Sequence, residues 1–560
     1  MTFRFLAPLA LAPLALGLLP VAAHAQTQPS QTADPRQLEQ SVRTLTDDLF
    51  EGRAPGTAGE DRTIGYLIGR FQALGLEPGG PNGRWVQTVP LLHTRLGAAE
   101  RLHVSAAGAT TPWTVGKQVY LSTLQPADHV AIDNAPMVFV GYGVSAPERG
   151  WDDFKGVDLK GKVALFLVND PDFEAAKGDD AFGKFGGRTM TYYGRWTYKF
   201  EEAARRGAIG ALIVHDTAGA GYGWNVVTSP SGENFDLVRA PGKRTSLALQ
   251  GWIEGQAADA LFARAGLNLA TLRKQARSRA FRPVPLKDTR FSAAFPVTQQ
   301  VVNSANVLAR IPGTSRPDET ILYGAHWDAY GKGAPDAAGH VYRAGANDDA
   351  LGVAGLFEVA RAFRAGPPPA RSVVFGVWTA EERGLLGSEY YALNPVWPLE
   401  KTAANLVIDV LQTGGKARDV ILVGKGQGTL EDDLARAAAA QGRTITPESL
   451  PERGLFFRAD HFSMAKRGVP VLLMMGLAGA SDLVAGGRAA GQAWVDAYTG
   501  HCYHQACDAW GPEWNLEGAA QDVDLLLAIG RDLANSTRWP DWKPGSEFKA
   551  ARDASAAARR

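Results

Sequence analysis

The chain has 560 residues, 45% of them hydrophobic, and its 58 Lys and Arg balance its 58 Asp and Glu to a formal charge of zero. That length exceeds what one hydrophobic core fills, so at least two domains are expected. The balanced charge gives no basis for nucleic acid or an anionic membrane as a partner, and two cysteines cannot build a cysteine-based metal site.

Residues 1–25 combine one basic residue, an apolar stretch of Leu and Ala, and Ala23-His24-Ala25 ahead of Gln26. This is the pattern of a signal peptide with an A-x-A cleavage site, which predicts a secreted or periplasmic protein whose mature chain begins near Gln26. Pro8, Pro13 and Pro20 interrupt the apolar run and argue against a membrane anchor. No later stretch approaches the roughly 18 uninterrupted apolar residues of a membrane span. Residues 26–35 read as a loose linker, and the segment 26–115 is assigned to the N-terminal part of a catalytic domain. Within it, Ile64, Leu67, Ile68, Phe71 and Leu74 recur at helical spacing.

From about 116 to 290 a second set of strand signals appears: MVFVGYG at 137–143, KVALFLV at 162–168 and GALIVHD at 210–216, with a helix-like YKFEEAARRG before the last. This reads as a separate β-rich module. His215 and Asp216 close the third run and are read as a turn. From 291 to 545 the chain alternates strand, loop and helix through ILYGAHWD, DALGVAGLFEVARAF, VVFGVW, a Gly- and Glu-containing helix, LVIDV, VILVG and VPVLLMM. Short continuous apolar runs between helices predict an α/β fold whose central sheet is mostly parallel and flanked by helices. GKGQG at 424–428 lacks a dinucleotide fingerprint and reads as a turn. The tail 546–560, rich in Ala and Arg, is expected to be disordered.

In open α/β sheets, ligands bind outside the carboxyl ends of the strands. Those ends carry His326-Trp327-Asp328, then Asn347-Asp348-Asp349, Glu381-Glu382 and Asp409. Each alone is ordinary: a helix cap, a solvated first turn, a core histidine. Together they are not, because carboxylates converging on one sheet edge repel unless cations neutralise them. A binuclear metal site resolves the conflict. A further ligand is available in the loop His501 to Asp508, where a bond between Cys502 and Cys507 would fix the stretch carrying Tyr503 and His504.

The succession HWD, GANDD, AEE, VID and YH resembles the co-catalytic di-zinc aminopeptidases related to aminopeptidase Y. That family also takes in glutamate carboxypeptidases, glutaminyl cyclases and transferrin receptors. The resemblance covers residues 300–545 best. It implies His326 and Asp409 on one zinc, Glu382 and His504 on the other, Asp348 bridging both, and Asp328 orienting His326. Manganese and cobalt suit the same donors. Glu381 is implied as the base that takes the proton of a metal-bridging water and passes it to the leaving amine. Tyr503 resembles the tyrosine that stabilises the tetrahedral oxyanion, a packing role beside the cysteine loop being its other reading. Arg458, in FFRADHFSMAKRGVPVLL, is implied near the substrate pocket, with Asp460 and His461 of the same loop not among the ligands. The module 116–290 resembles a protease-associated domain, through VGYGVSAPERGWDDFKGVDLKGKVALFL and EEAARRGAIGALIVHD.

The resulting expectation is a secreted, zinc-dependent exopeptidase acting on peptide substrates, foremost an aminopeptidase. A carboxypeptidase of the same fold is the alternative, with Arg343, Arg383 and Arg458 as cations for a terminal carboxylate. A glutaminyl cyclase uses one zinc and fits a full ligand set poorly. A receptor-like binding protein would show lost ligands, which this sequence does not.

Overall fold

The computed structural model describes residues 1–2, 33–228, 232–239 and 247–559. The leader expected over residues 1–25 lies outside them apart from its first two residues. Among the described residues no helix is long and apolar enough to cross a membrane.

The first sheet has a parallel heart. The strand Arg316–His326 lies between Arg371–Trp378 and Thr402–Ile408, and Val471–Met474 continues the parallel set. These strands are buried on both faces, as their unbroken apolar runs require. His326 pairs with Trp378, and Ile408 with Met474, so the carboxyl ends lie level along one edge. The flanks are antiparallel: Val284–Ile311 pairs with Arg371–Trp378 on one side and with Val86–Leu96 on the other.

Helix Leu351–Ala365 packs against the sheet along nearly its whole surface, beside Pro35–Leu45 and Glu517–Asn535. Contact with the sheet is close enough that glycine is required in Glu517–Asn535. A Cβ on Gly530 would fall 1.7 Å from the Tyr323 hydroxyl, which donates to the Leu526 carbonyl at 2.8 Å. The helix Pro35–Leu45 starts where the linker was expected to end. Asp34 caps it, and the Ala33 N–H donates to Asp524 at 2.8 Å.

The second sheet runs in parallel from His129–Phe139 through Val163–Leu167 and Gly210–Val214 to Leu249–Ile253. Helices Trp196–Arg205 and Gly255–Arg264 accompany it. The two sheets are joined by one strand. Val284–Ile311 is 28 residues long; its first part pairs with Arg101–Ala106 and His129–Phe139, its last with the first sheet. The second sheet therefore starts at Arg101, ahead of residue 116, and residue 290 falls inside an unbroken strand. Glu233–Leu237, from within the inserted stretch, returns to pair with Val86–Leu96.

The tail departs from expectation. Lys549–Ala554 is helical; Phe548 packs on Trp542, and the buried Arg552 donates to the carbonyls of Thr402 and Pro540. Composition suggested disorder because Ala and Arg carry little apolar area, but one deeply placed arginine and one phenylalanine are enough to hold the segment down.

Candidate metal centre

Three sharp turns place the acidic and histidine side chains at the sheet edge. Ala380, directly before Glu381, has φ 51°, and Val410, directly after Asp409, has φ 53°. His504 has φ 63°. The left-handed region costs an L-residue roughly 1–2 kcal/mol, and such conformations cluster at functional sites. Gly345 opens the turn that bears Asp348 at φ 53°, where a Cβ would fall 2.1 Å from the Asp348 carbonyl oxygen. The Asp348–Asp349 peptide is cis. Asp349 accepts the His326 N–H at 3.2 Å through one oxygen and the Gly352 N–H at 3.0 Å through the other, tying the strand end to the helix start.

The side chains converge in two groups of three. His326, Asp348 and Asp409 form one, and Asp348, Glu382 and His504 the other; within each, ligand atoms lie within 4.8 Å of one another. Asp348 belongs to both. One of its oxygens lies 3.0 Å from His326 Nε2 and the other 3.4 Å from His504 Nε2. Glu382 Oε2 is 3.2 Å from His504 Nε2. Glu381 stands outside both groups, with Oε2 3.9 Å from His326 Nε2.

The electrostatics are those of a site built for cations. Burial, reinforced by the charge of Asp348, pushes Asp409 up to about 8. Burial also raises Glu382 and Glu381 well above the usual carboxylate range, with Asp348 adding to the first and Asp409 and Asp460 to the second. Asp348 goes the other way: burial opposes its charge, but hydrogen bonds from His326 and His504 outweigh it and hold the carboxyl low. His326 is raised despite its burial, because Glu381 and Asp328 face it. Protons and one imidazolium thus share out the surplus negative charge. Divalent cations on the same oxygen and nitrogen donors would displace those protons, so the donor set fits a pair of metal ions.

Asp328 acts differently from expectation. The His326 Nδ1 bond goes to the Asp328 main-chain carbonyl at 3.0 Å, while the nearest carboxylate oxygen is 3.7 Å away and accepts the Glu381 N–H at 2.9 Å. The residue still holds the imidazole, and it also pins the backbone of Glu381. Tyr503 stacks on His504 with ring centres 3.7 Å apart, and its hydroxyl oxygen accepts from Arg458 at 3.1 Å. Cys502 and Cys507 form a disulfide with Cα atoms 5.0 Å apart.

Of the other candidates, Arg383 stays beside the site, since the Tyr330 ring beneath it meets His504 Nδ1. Arg343 lies in the small ribbon Gly331–Lys332 with Tyr342–Arg343, and Arg383 lies over the Tyr330 ring and 3.7 Å from Glu233. His461 is fully buried against Phe456, and burial takes it down to about 3, so it is a neutral core residue. His215 meets the Tyr222 carbonyl, and Asp216 pairs with Arg273 at 2.7 Å. The turn at Gly424 to Gly428 directs two N–H groups to Glu431.

Three supporting residues have no motif to announce them. Asp508 accepts the N–H groups of Asn347 at 3.0 Å and Asp348 at 3.2 Å, and the Tyr498 hydroxyl at 3.0 Å. Arg53, wholly buried, donates to the carbonyls of Trp327, Leu45, Ala344 and Gly345. Burial brings it down to about 10 while Asp328 and Asp508 pull it back up, so it remains charged. Tyr330 meets His504 Nδ1 at 3.1 Å. The only sequence signal was position: Asp508 directly follows the second cysteine.

A parallel α/β sheet with two three-donor groups sharing a carboxylate at its carboxyl edge defines the class: an α/β protein with a candidate two-metal centre. Residues 306–528 match the family described as Peptidase family M28. It is 30% identical over 225 residues to Leupeptin-inactivating enzyme 1 of Streptomyces exfoliatus, covering 39% of this chain and 47% of that protein. It is 32% identical over 114 residues to Aminopeptidase NAALADL1 of Rattus norvegicus, covering 19% and 14%. The chain thus spans less than half the length of these curated relatives. The solved aminopeptidase from Aneurinibacillus sp. strain AM-1 shares the fold, with TM-score 0.51 and 19% identity over 92% of this chain and 96% of that one.

Proposed function

We propose that the chain is a zinc-dependent exopeptidase that acts as an aminopeptidase on peptides with a free N-terminus. The reading rests on the two donor groups that share Asp348, with Glu381 beside them and in neither. Two imidazoles with carboxylates suit zinc, and manganese and cobalt accept the same set. His326 and Asp409 would hold one ion, Glu382 and His504 the other, and Asp348 both. Two bound ions supply Lewis acidity, polarising the scissile carbonyl and lowering the pKa of water.

The remaining work falls to side chains. Glu381, nearly buried and among carboxylates that raise its proton affinity, takes the proton of the attacking water and returns it to the leaving amine. Burial raises the Tyr503 phenol well above its ordinary value, so it stays protonated at neutral pH. Because its oxygen accepts from Arg458, its O–H is free to donate to the developing oxyanion. The free α-amine of the substrate meets the negative charge of Glu381 and Asp409. The loop Gly221 to Val226 of the inserted module faces Tyr503 and narrows the approach, which favours chain ends over internal bonds.

Peptide substrates agree with the names of both curated relatives. Export to an oxidising compartment agrees with the Cys502–Cys507 disulfide. The test is metal content of the purified protein together with hydrolysis of free-amine and N-blocked aminoacyl anilides before and after chelation. About two zinc equivalents and chelator-sensitive cleavage of the free-amine substrates alone are expected. Absence of bound zinc, or cleavage indifferent to chelation, would overturn the reading.

A further inference from the structure

Next to Tyr503 the inserted module and the catalytic half enclose a cavity of about 190 Å3, between Gly221 to Val226 on one side and Arg453 to Arg458 on the other. Two guanidinium side chains, Arg453 and Arg458, line it. Neither forms an ion pair with a carboxylate among the described residues. Arg458 instead donates to the Tyr503 hydroxyl at 3.1 Å and lies 5.6 Å from the Tyr222 ring centre. Arg453 runs along the module's loop so closely that a Cβ on Gly221 would fall 2.6 Å from its Cγ.

A third arginine, Arg195, is 9% exposed and stands within electrostatic reach of Arg458, Tyr222 and Tyr503, again with no carboxylate partner among the described residues. Other enclosed arginines use up their donors on protein acceptors: Arg273 on Asp216 at 2.7 Å, Arg371 on Glu319 at 2.6 Å and Arg443 on Asp522 at 2.6 Å, and Arg53 and Arg552 on main-chain carbonyls. The negative charge within their reach is not in contact with them: Glu381 acts on Arg458, and Glu452 and Asp496 on Arg453, each without an ion pair, so the guanidinium donors that face the cavity remain open to a ligand. A fork of guanidinium donors on the wall of a cavity matches a carboxylate.

We propose that this cavity is a subsite for a carboxylate carried by a substrate residue adjoining the scissile bond, gripped by Arg453 and Arg458 with Tyr222 as its wall. The proposal rests on the peptidase reading above and gives it a substrate class: peptides with an acidic group, from a side chain or from a free C-terminus, close to the bond cleaved.

Three substrate pairs distinguish the sources: Leu-Leu against Leu-Leu-amide, Leu-Glu-amide against Leu-Gln-amide, and Glu-anilide against Gln-anilide. In the zinc-loaded protein at least one acidic member should exceed its neutral partner in kcat/KM by about tenfold or more. Arg453→Gln should collapse that ratio towards one, and Arg453→Lys, which keeps the charge but not the fork, should keep only part of it. A wild-type ratio near one in all three pairs, or a ratio untouched by Arg453→Gln, would overturn the proposal.

Calorimetric titration with N-acetylleucine and N-acetylleucinamide reads the subsite without turnover. The acid should bind more tightly than the amide to the wild type and lose that advantage in Arg453→Gln. Equal binding of acid and amide to the wild type counts against the subsite. Failure to cleave any peptide, with acid-selective binding intact, counts against the peptidase reading alone.

Discussion

Replacing Asp508 by Asn should weaken metal binding while leaving the fold intact. Its carboxylate is 2% exposed, and its two oxygens take three hydrogen bonds, from the N–H groups of Asn347 and Asp348 and from the Tyr498 hydroxyl. An Asn side chain keeps one accepting oxygen and turns an NH2 group towards a donor, so at least one bond to a charged acceptor is lost. Such a bond is worth about 1.5–3 kcal/mol. Because two of the three donors belong to the turn that carries Asp348, the loss falls on the residue shared by both donor groups. Zinc affinity should drop roughly 10- to 100-fold, the range found for groups that orient ligands. Competition against a chromogenic chelator measures it at about pH 8.5, above the value of about 7 to which burial pushes Asp508. Circular dichroism and a thermal melt check the fold. An affinity within about threefold of wild type, with the fold unchanged, would refute the view that Asp508 holds the Asp348 turn.

Glu381→Gln should keep zinc content at the wild-type level and lower kcat by about 10²–10⁴, the contribution of a general base; Glu382→Gln should lose zinc as well, and metal analysis separates the two. Tyr503→Phe should lower kcat by roughly 10²-fold with little change in KM, as expected for a donor engaged in the transition state; equal loss of KM and unaltered kcat would assign the tyrosine to packing. Stability of the zinc-free chain should fall as pH rises from about 6.5 to about 8.5. Asp409 at about 8 and Asp460 and Asp508 at about 7 bind protons more tightly when folded than in the unfolded chain, so their stabilisation is lost as those protons leave. Added zinc should restore the melting temperature at the upper pH, and a zinc-free midpoint that climbs across this window would contradict the picture of a proton-neutralised cluster.

The parallel heart of the fold was legible because both-face burial writes itself as continuous apolar runs, and the acidic and histidine residues were legible because they stand where those runs stop. Arg53 and Asp508 were not. Their partners are main-chain groups 292 and 161 residues away, contacts that leave no local pattern. The role of the Asp328 carboxylate was blurred for a related reason, since sequence cannot tell whether an imidazole meets a side chain or the carbonyl behind it. The long strand Val284–Ile311 escaped notice because its middle, VTQQVVNS, is polar and largely exposed where it pairs with Val86–Leu96. Arg453 and Arg195 had no signature at all, because only the folded chain brings them near Arg458.

That strand also changes what the inserted module is. A part attached by two linkers can be cut away and the scaffold closed behind it. Here the first sheet borrows its antiparallel flank from the same 28 residues that edge the second, and Val86–Leu96 is zipped to both Val284–Ile311 and Glu233–Leu237. Excising residues 101–296 would strip a neighbour from Val86–Leu96 and open the wall beside Tyr503 in one stroke. The module is a buttress built into the masonry: backbone hydrogen bonds along Val284–Ile311 and Glu233–Leu237 tie it to the first sheet, and exchanging it would have to carry the shared strand with it.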